Sequence, residues 1–223
     1  SIGASMKFGV LADIHANADA LDVVLSECRS MNIDQLVVAG DFVGYYFYPA
    51  LVLEMLSDFN VFAIQGNHEH MLKKASENQL FLKRLECTYG RGHRIALEEL
   101  SLHQLNFIFN LQDTLSLQLG GLNVLVCHGS PRNCNKYVYP TDDLRFLESE
   151  VSPDTDLLIM GHTHYPMIRR VSNKLVALNP GSVGQARGNI GSVAQWAVID
   201  TDNFKMQLRS NPYDSSRLRE QCL

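Results

Sequence analysis

Metal-binding side chains follow five apolar, strand-like segments of this sequence. Asp, Asn and His supply the oxygen and nitrogen donors that borderline divalent ions prefer, and no Cys joins them. This donor set argues against a structural zinc knot and favours an open catalytic site. In chain order the blocks are Asp13-Ile14-His15, Gly40-Asp41, Gly66-Asn67-His68-Glu69, His128-Gly129 and Gly161-His162-Thr163-His164.

Two of the blocks hold donors that stand two residues apart. Asp13 and His15 follow one strand-like run, and His162 and His164 follow another. In extended backbone such side chains point the same way, so we expect Asp13 and His15 to converge on one ion and the imidazoles of His162 and His164 to face the same side. Each block alone is better explained by helix capping, turn chemistry or a structural histidine. Their joint occurrence favours the metal site.

The second and third blocks offer three further groups. Asp41 is suited to bridging two cations, because each of its carboxylate oxygens can face a different ion. Asn67 provides a neutral carbonyl oxygen. The imidazole of His68 has an unperturbed pKa of ~6.5, which lets it hold or donate a proton near neutrality.

Length and composition bound the kind of protein. The chain has 223 residues, 46% hydrophobic and 19% charged, which is ordinary for a globular protein. We expect residues 6–223 to form one domain, and residues 1–5 to be a tag remnant before a native start at Met6. A net charge of −5 disfavours stable nucleic-acid binding.

Cysteine usage and hydropathy suggest a location. The five cysteines are odd in number and scattered, so we expect reduced thiols and a cytoplasmic protein. The most apolar stretch, residues 36–56, approaches the length of a membrane span. Asp41, Pro49 and Glu54 interrupt it, so we predict no transmembrane segment.

The first third of the sequence predicts a parallel sheet. Apolar runs at residues 8–12, 36–39 and 61–64 suggest strands, and helical periodicity predicts helices at residues 18–31 and 49–59. Strands that are apolar on both faces suit a parallel sheet covered by helices. Ligands then lie beyond the carboxyl ends of the strands.

The rest of the sequence predicts a helical cap and a second sheet. Residues 71–111 lack strand signals and suggest two or three helices, with a break at Gly90 and Gly92. Residues 115–119 and 122–127 suggest a hairpin around Gly120-Gly121, followed by a helix at residues 142–149. A second, largely antiparallel sheet is predicted from the remaining strands, at residues 157–160, 167–171, 174–178, 194–200 and 205–209.

Taken together, the motifs resemble those of the calcineurin-like metallophosphoesterase superfamily, and within it the small bacterial and archaeal phosphodiesterase group. The likeness spans nearly the whole chain. Besides the five blocks, residues 13–17 (DIHAN) are similar to that group's DIHGN, residues 40–45 (GDFVGY) to GDLVGY, and residues 179–187 (NPGSVGQAR) to NPGSVGQPR. The resemblance implies an α/β (α+β) fold, a four-layer α-β-β-α sandwich of two mixed sheets with a small helical cap.

The resemblance also implies a reaction. It is hydrolysis of a small phosphodiester or nucleotide-type ester, by in-line attack of a metal-bridging hydroxide, with His68 as the catalytic imidazole that stabilises developing charge or protonates the leaving oxygen. Two divalent ions are implied, manganese, iron or zinc, with manganese the first choice in vitro. The implied ligands are Asp13, His15, Asp41 and His164 for one ion, and Asp41, Asn67, His128 and His162 for the other.

The sequence departs from related patterns at three positions. Gly44 stands where the protein-phosphatase branch has an acid, so the residue that orients His68 is not identified from the sequence. Ala16 and Ala186 replace the Gly and Pro of the similar motifs, which removes no ligand.

Four residues near the blocks are candidates for binding substrate: Asn17, Tyr45, Arg132 and Arg187. A guanidinium suits phosphate bidentately, and the aromatic run that begins at Tyr45 is either a shelf for a nucleobase or packing beneath the cap. Two other functions remain open. One is a protein-interaction scaffold that has lost catalysis, and the other is a nuclease, which the acidic balance disfavours.

Overall fold

Ten strands and eight helices make up the part of the chain that the computed structural model describes, residues 6–188 and 190–222. The predicted tag remnant, residues 1–5, lies outside it. In chain order the elements are β1 (Lys7–Leu11), α1 (Ala18–Ser30), β2 (Gln35–Val38), α2 (Pro49–Leu56), β3 (Asn60–Ala63), α3 (Asn67–Glu77), α4 (Gln79–Tyr89), α5 (Gly92–Glu99), α6 (Leu102–Phe109), β4 (Thr114–Leu119), β5 (Leu122–Cys127), a 3-10 helix (Leu144–Ser149), β6 (Leu157–Ile159), β7 (Met167–Arg170), β8 (Val176–Asn179), β9 (Val193–Asp200), β10 (Lys205–Pro212) and α7 (Ser216–Gln221).

The first sheet has the strand order β10-β9-β1-β2-β3. β1, β2 and β3 run parallel, as the sequence predicts, and β9 pairs antiparallel with both β1 and β10. Along β1, Phe8 and Val10 face the space between the two sheets, while Leu11 faces the helices. The run is continuously apolar because both of its faces are buried.

The second sheet has the order β4-β5-β6-β8-β7. β5, β6 and β8 are parallel, and β4 and β7 pair antiparallel at the two edges. The prediction of a largely antiparallel second sheet containing residues 194–200 and 205–209 is therefore wrong, because those strands join the first sheet. Their apolar pattern identifies strands, but it does not specify which strand each one pairs with.

Four layers result, as the family resemblance implies. One core lies between the two sheets, and a second lies between the first sheet and the helices, where Leu25 and Val52 pack near Leu36. On the outer face of the second sheet, Leu147 packs with Leu158. This outer layer holds a 3-10 helix at Leu144–Ser149 rather than the predicted helix at residues 142–149.

The cap has four helices, α3 to α6, rather than the predicted two or three, and it begins at Asn67 rather than at residue 71. The break at Gly90 occurs as expected, with φ at 77°. A further break separates α5 from α6. There Ser101 and Gln104 form a capping box, in which each side chain accepts a hydrogen bond from the other residue's backbone N–H, and this sequence pattern marks the start of a helix. Leu72 and Ala96 of the cap belong to the same core cluster as α1.

Parallel pairing brings the metal-binding blocks to one edge of the molecule. β1, β2 and β3 end just before Asp13, Asp41 and Asn67, and β5 and β6 end just before His128 and His162. The carboxyl ends of parallel strands share an edge, so these loops meet. Within residues 6–188 and 190–222, each helix is too short or too polar to cross a membrane.

Candidate metal centre

The donor loops turn through left-handed backbone. The φ angles of Asp13, His15 and Asp41 are 55°, 51° and 59°, and those of His162 and His164 are 69° and 61°. Non-glycine residues adopt this region at a cost of about 1–2 kcal/mol each. The expectation that extended backbone aligns each pair is therefore wrong. Asp13 and His15 converge on one half of the cluster from left-handed backbone, whereas His164 joins that half and His162 lies against His128 in the other.

Backbone hydrogen bonds between loops hold this conformation. The His15 N–H donates to the carbonyl of Asp41 at 3.0 Å, and the Ala16 N–H donates to the carbonyl of Phe42 at 2.7 Å. These bonds continue the pairing of β1 with β2 past the ends of the strands. Ala16, which replaces the Gly of the similar motif, also has a positive φ of 55°, so the replacement adds strain but removes no donor.

Asp13, His15 and His164 form one half of the cluster. The Nε2 atoms of His15 and His164 are 3.1 Å apart, and Asp13 Oδ1 lies 3.4 Å from His164 Nε2 and 4.0 Å from His15 Nε2. All three side chains are buried. Their ligand atoms are close enough together to bind a single ion.

Asp41, Asn67, His128 and His162 form the other half. His128 Nε2 lies 3.2 Å from Asp41 Oδ2 and 2.9 Å from Asn67 Oδ1. The ring of His162 is 5.0 Å from that of His128. Asp41 Oδ2 also lies 3.8 Å from His15 Nε2, so the Asp41 carboxylate stands between the two halves.

Backbone carbonyls hold three of the imidazoles from behind. A carbonyl oxygen only accepts hydrogen bonds, so each Nδ1 carries a proton and each neutral ring keeps its lone pair on Nε2. When the ring is neutral, each inward-facing nitrogen is therefore in the form that binds a metal. The bonds run from His15 Nδ1 to Val43 (2.9 Å), from His128 Nδ1 to Ala39 (2.7 Å) and from His164 Nδ1 to Gln185 (2.7 Å).

The cluster requires positive charge. Two Nε2 lone pairs that face each other across 3.1 Å, in His15 and His164, repel unless a proton or a cation lies between them. Burial lowers the pKa of His128, but the Asp41 carboxylate outweighs burial and raises this pKa to about 10. Burial acts to raise the pKa of Asp41, and the neighbouring imidazoles, His128 foremost, hold it well below its usual range.

Two buried atoms of the cluster that could bind a metal have no hydrogen-bond partner among the described residues. They are Asp13 Oδ1 and His162 Nε2. Buried polar atoms are normally satisfied, so two unpartnered acceptors in one cluster point to a ligand that accepts their lone pairs. Carboxylate, amide and imidazole donors suit borderline divalent ions. This His/Asp cluster therefore fits divalent metal ions.

His68 begins the cap, in the first turn of α3, and lies against the cluster. Its backbone N–H donates to Asp41 Oδ1 at 2.9 Å, and its ring lies 4.9 Å from that of His15. Its Nδ1 lies 3.1 Å from Nε2 of His93, in α5. Sequence reasoning missed His93, because nothing in a lone cap histidine indicates a partner 25 positions away.

Glu69, the last residue of the third metal-binding block, has a role that the sequence does not reveal. It is fully buried, and its carboxylate accepts hydrogen bonds from the backbone N–H groups of Asp41, Phe42 and Gly66, each at 2.8 Å, and from Val43 at 3.2 Å. It therefore fixes the loop that carries Asp41 to the start of α3. Burial, and then the Asp41 carboxylate, raise the pKa of Glu69 to about 7.

Two of the predicted substrate residues, Asn17 and Arg132, make hydrogen bonds within the fold. Asn17 is buried, and its amide donates to the Gly184 carbonyl and to the Tyr213 hydroxyl while accepting from the Ala20 N–H. With these groups used, Asn17 ties the first donor loop to its neighbours. Arg132 is exposed and donates to the Ser149 carbonyl at 2.7 Å.

Tyr45 and Arg187 lie on the cap side of the cluster. The half-buried ring of Tyr45 is 4.7 Å from that of His15 and 5.6 Å from that of Tyr89 in α4. This contact with the cap matches the packing interpretation of the aromatic run. Burial raises the pKa of Tyr45, and the nearby guanidinium of Arg187, which is exposed, acts against that rise.

A row of tyrosines that sequence reasoning missed lies on the opposite side. The ring of Tyr137 is 4.2 Å from that of His162, and Tyr139 lies parallel to Tyr137 at 5.8 Å with an interplanar angle of 8°. Tyr165 follows at 6.1 Å from Tyr139. All three are exposed, which is costly for large rings without a partner. The spacing Tyr137-x-Tyr139 was the available signal.

Comparison with known proteins decides the family. The model of the calcineurin-like phosphoesterase superfamily domain matches residues 6–203. The chain belongs to this superfamily. The family predicted from the motifs is thereby confirmed, and it is a family of metal-dependent phosphoester hydrolases.

Individual relatives are distant but cover most of the chain. This chain is 26% identical to the uncharacterized protein MJ0912 of Methanocaldococcus jannaschii, over 96% of this chain and 90% of that one. A metallophosphoesterase from Sphaerobacter thermophilus has the same fold, with a TM-score of 0.79, 22% identity, and coverage of 99% and 95%. A novel archaeal phosphodiesterase aligns with a TM-score of 0.56, 18% identity, and coverage of 92% and 99%.

Replacement of Glu69 tests how the Asp41 loop is held. Glu69→Ala leaves four backbone N–H groups without their acceptor, so we expect a loss of about 3 kcal/mol or more in the free energy of unfolding. Glu69→Gln keeps one carbonyl oxygen and should lose less. Glu77→Ala, an exposed acid in the same helix, should stay within about 0.5 kcal/mol of the parent. Urea unfolding measures all three, and parental stability in Glu69→Ala would contradict this role.

Proposed function

We propose that this protein hydrolyses phosphate esters, phosphodiesters or nucleotide-type esters, at a centre of two divalent cations. The observation that supports the proposal is a buried cluster of carboxylates and imidazoles, supplied by loops from both sheets, with the Asn67 amide and the His162 ring against His128. A scaffold that had lost catalysis would have no need to keep His68 beside that cluster.

Each half of the cluster has the donors for one cation. We assign Asp13, His15 and His164 to the first cation and Asn67, His128 and His162 to the second. The Asp41 carboxylate, 3.8 Å from His15 Nε2 and 3.2 Å from His128 Nε2, is placed to serve both. Two carboxylates against two divalent cations leave net positive charge, which suits a phosphate ester.

Bound divalent cations would offset charge on the phosphoryl oxygens and make a nucleophile available at neutral pH. The residues of the chain do the rest. The carbonyls behind His15, His128 and His164 keep the donor nitrogens directed inward, and Glu69 fixes Asp41. His68, in the wall of the cluster, is placed to stabilise charge that develops on the ester.

The aromatic row favours an ester that carries a flat group. Tyr137 lies against His162, and Tyr139 and Tyr165 continue from it, so a base attached to the phosphate can contact exposed ring surface. Base–aromatic stacking tolerates any nucleobase. On the other side of the cluster, the exposed guanidinium of Arg187 is placed to pair with a phosphate oxygen.

The donor set narrows the choice of metal. Four imidazoles favour manganese, iron or zinc over magnesium, and manganese is the first to test in vitro. The described cysteines, including buried Cys28 and Cys127, are all free thiols. Free thiols suit a reducing compartment, so a cytoplasmic location is part of the proposal.

Two substitutions separate metal binding from turnover. We expect His68→Ala to keep its metal content and to lose turnover about 100-fold or more, because it removes a group that acts on the reacting ester. Asp41→Ala should lose metal as well, because it removes a donor from both halves. Metal analysis after dialysis and hydrolysis of bis-p-nitrophenyl phosphate with manganese measure both properties.

Exposed His103 in α6 supplies the control, since His103→Ala should change neither metal content nor rate. Parental rates in both His68→Ala and Asp41→Ala would refute the proposed site. If the parent protein hydrolyses neither diesters, monoesters nor dinucleotides with any of the three metals, the scaffold function is favoured instead.

Replacement of Tyr137 tests the aromatic group of the substrate. Thymidine 5′-(p-nitrophenyl phosphate) and methyl p-nitrophenyl phosphate share a leaving group and differ in the nucleoside. We expect Tyr137→Ala to lower kcat/KM for the nucleoside ester about 5-fold or more relative to the methyl ester, the scale of one lost base stack. Tyr137→Phe should keep the preference, as should Phe107→Ala, an exposed ring of α6. An unchanged ratio in Tyr137→Ala would show that the row does not contact the base.

A further inference from the structure

His68 and His93 form a buried pair that the proposed ligand set does not use. Nδ1 of His68 lies 3.1 Å from Nε2 of His93, and the two ring planes differ by only 10°. Both side chains are buried, His93 completely. One nitrogen carries the proton of this N–H···N hydrogen bond and the other accepts it, so the position of that proton decides which tautomer His68 adopts.

The backbone around the pair is shaped to admit it. A Cβ on Gly44 would lie 2.2 Å from His68 Nδ1, so no side chain fits at that position while the ring stays in place. A Cβ on Gly92, the first residue of α5, would lie 2.5 Å from the backbone nitrogen of Tyr45. The absence of side chains at both positions lets α5 approach closely enough to bring His93 to His68.

The surroundings of His93 locate its proton. Burial, and then His68, lower the pKa of His93 to about 3, so the ring is neutral and carries one proton. Its Nδ1 is buried and has no hydrogen-bond partner among the described residues. An unpaired buried N–H is rarer in proteins than an unpaired acceptor. The proton therefore belongs on Nε2, from which it is donated to His68.

The hydrogen bond from His93 determines whether the other nitrogen of His68, Nε2, carries a proton. Because His68 Nδ1 accepts the bond from His93, the proton of a neutral His68 is on Nε2, the nitrogen left to face the cluster. An Asp in place of His93 would do the reverse, since a carboxylate accepts from Nδ1–H and leaves Nε2 without a proton in the neutral ring.

We propose that His93 is a positioning residue that fixes the tautomer of His68, so that His68 presents a neutral Nε2–H group to the phosphoryl group. This inference rests on the proposed phosphoesterase function. A neutral imidazole N–H donates a hydrogen bond to an oxygen as negative charge develops there, and it retains its proton. A neutral His68 held in this tautomer has no second proton to give, so it stabilises charge and does not protonate the leaving oxygen.

The tautomer is directly measurable. In the purified protein, with histidine labelled with ¹⁵N, long-range ¹H–¹⁵N correlation spectra distinguish the Nε2–H tautomer from the Nδ1–H tautomer. We expect His68 to be in the Nε2–H form, with its signals assigned by their loss in His68→Ala. Detection of the Nδ1–H form in the parent protein would overturn the inference, whatever the activity.

Kinetics test the consequence with matched variants. His93→Phe keeps a ring but cannot donate, and we expect kcat to fall about 10- to 100-fold, as for other residues that orient a functional histidine, with little change in KM. His93→Gln keeps an N–H donor and should recover part of this loss. His103→Leu removes an exposed cap histidine and should match the parent.

Leaving-group dependence separates the two roles of His68. We expect the loss in His93→Phe to be equal for p-nitrophenyl and phenyl esters of the same phosphodiester, because no proton is transferred to the leaving oxygen. A much larger loss with the poorer phenyl leaving group, or parental rates in folded His93→Phe, would overturn the inference. If the parent protein hydrolyses no ester, the proposed function fails. The tautomer measurement then still shows whether His93 donates its proton to Nδ1 of His68.

Discussion

The main constraint on this structure is the burial of two carboxylates at the edge where the two sheets meet. Asp13 and Asp41 are removed from water, and isolated buried charge is costly unless positive charge and hydrogen bonds accompany it. The neighbouring side chains meet this demand with imidazoles whose lone pairs face inward and whose outer nitrogens bond backbone carbonyls. Divalent cations, which this His/Asp cluster fits, would supply the charge that the arrangement requires.

The remainder of the site keeps those groups in place at a cost in backbone strain. Five donors adopt left-handed backbone, and hydrogen bonds between adjacent loops hold them there. Strain of this kind persists only where the surrounding structure over-determines it, and it is concentrated at functional sites. Glu69 adds a buried carboxyl group that accepts hydrogen bonds from four backbone N–H groups, so it stabilises the loop from outside the cluster. The cap contributes through His93, which ties it to the wall of the site.

Local patterns in the sequence predict most of the strands and the edge at which the donors meet, because burial on both faces of β1 and β2 leaves a continuous apolar run. They do not predict that β9 joins the first sheet, since pairing depends on partners that are remote in the sequence. The donors were identified by residue type and by family resemblance, but the reason given for their convergence was wrong, because φ of Asp13 or His162 is set by contacts between loops. His93 and Tyr137 were missed because their partners, His68 and His162, are remote in the sequence, and spacing within the sequence carries little information about such contacts.

Anomalous diffraction from crystals grown with manganese, and separately with zinc, tests the central claim most directly. The account predicts two peaks, one bound by Asp13, His15 and His164 and the other by Asn67, His128 and His162, with Asp41 contacting both and donor distances of about 2.0–2.2 Å. Absence of both peaks from the cluster at saturating metal, or a single ion that leaves Asp41 uncoordinated, would contradict it.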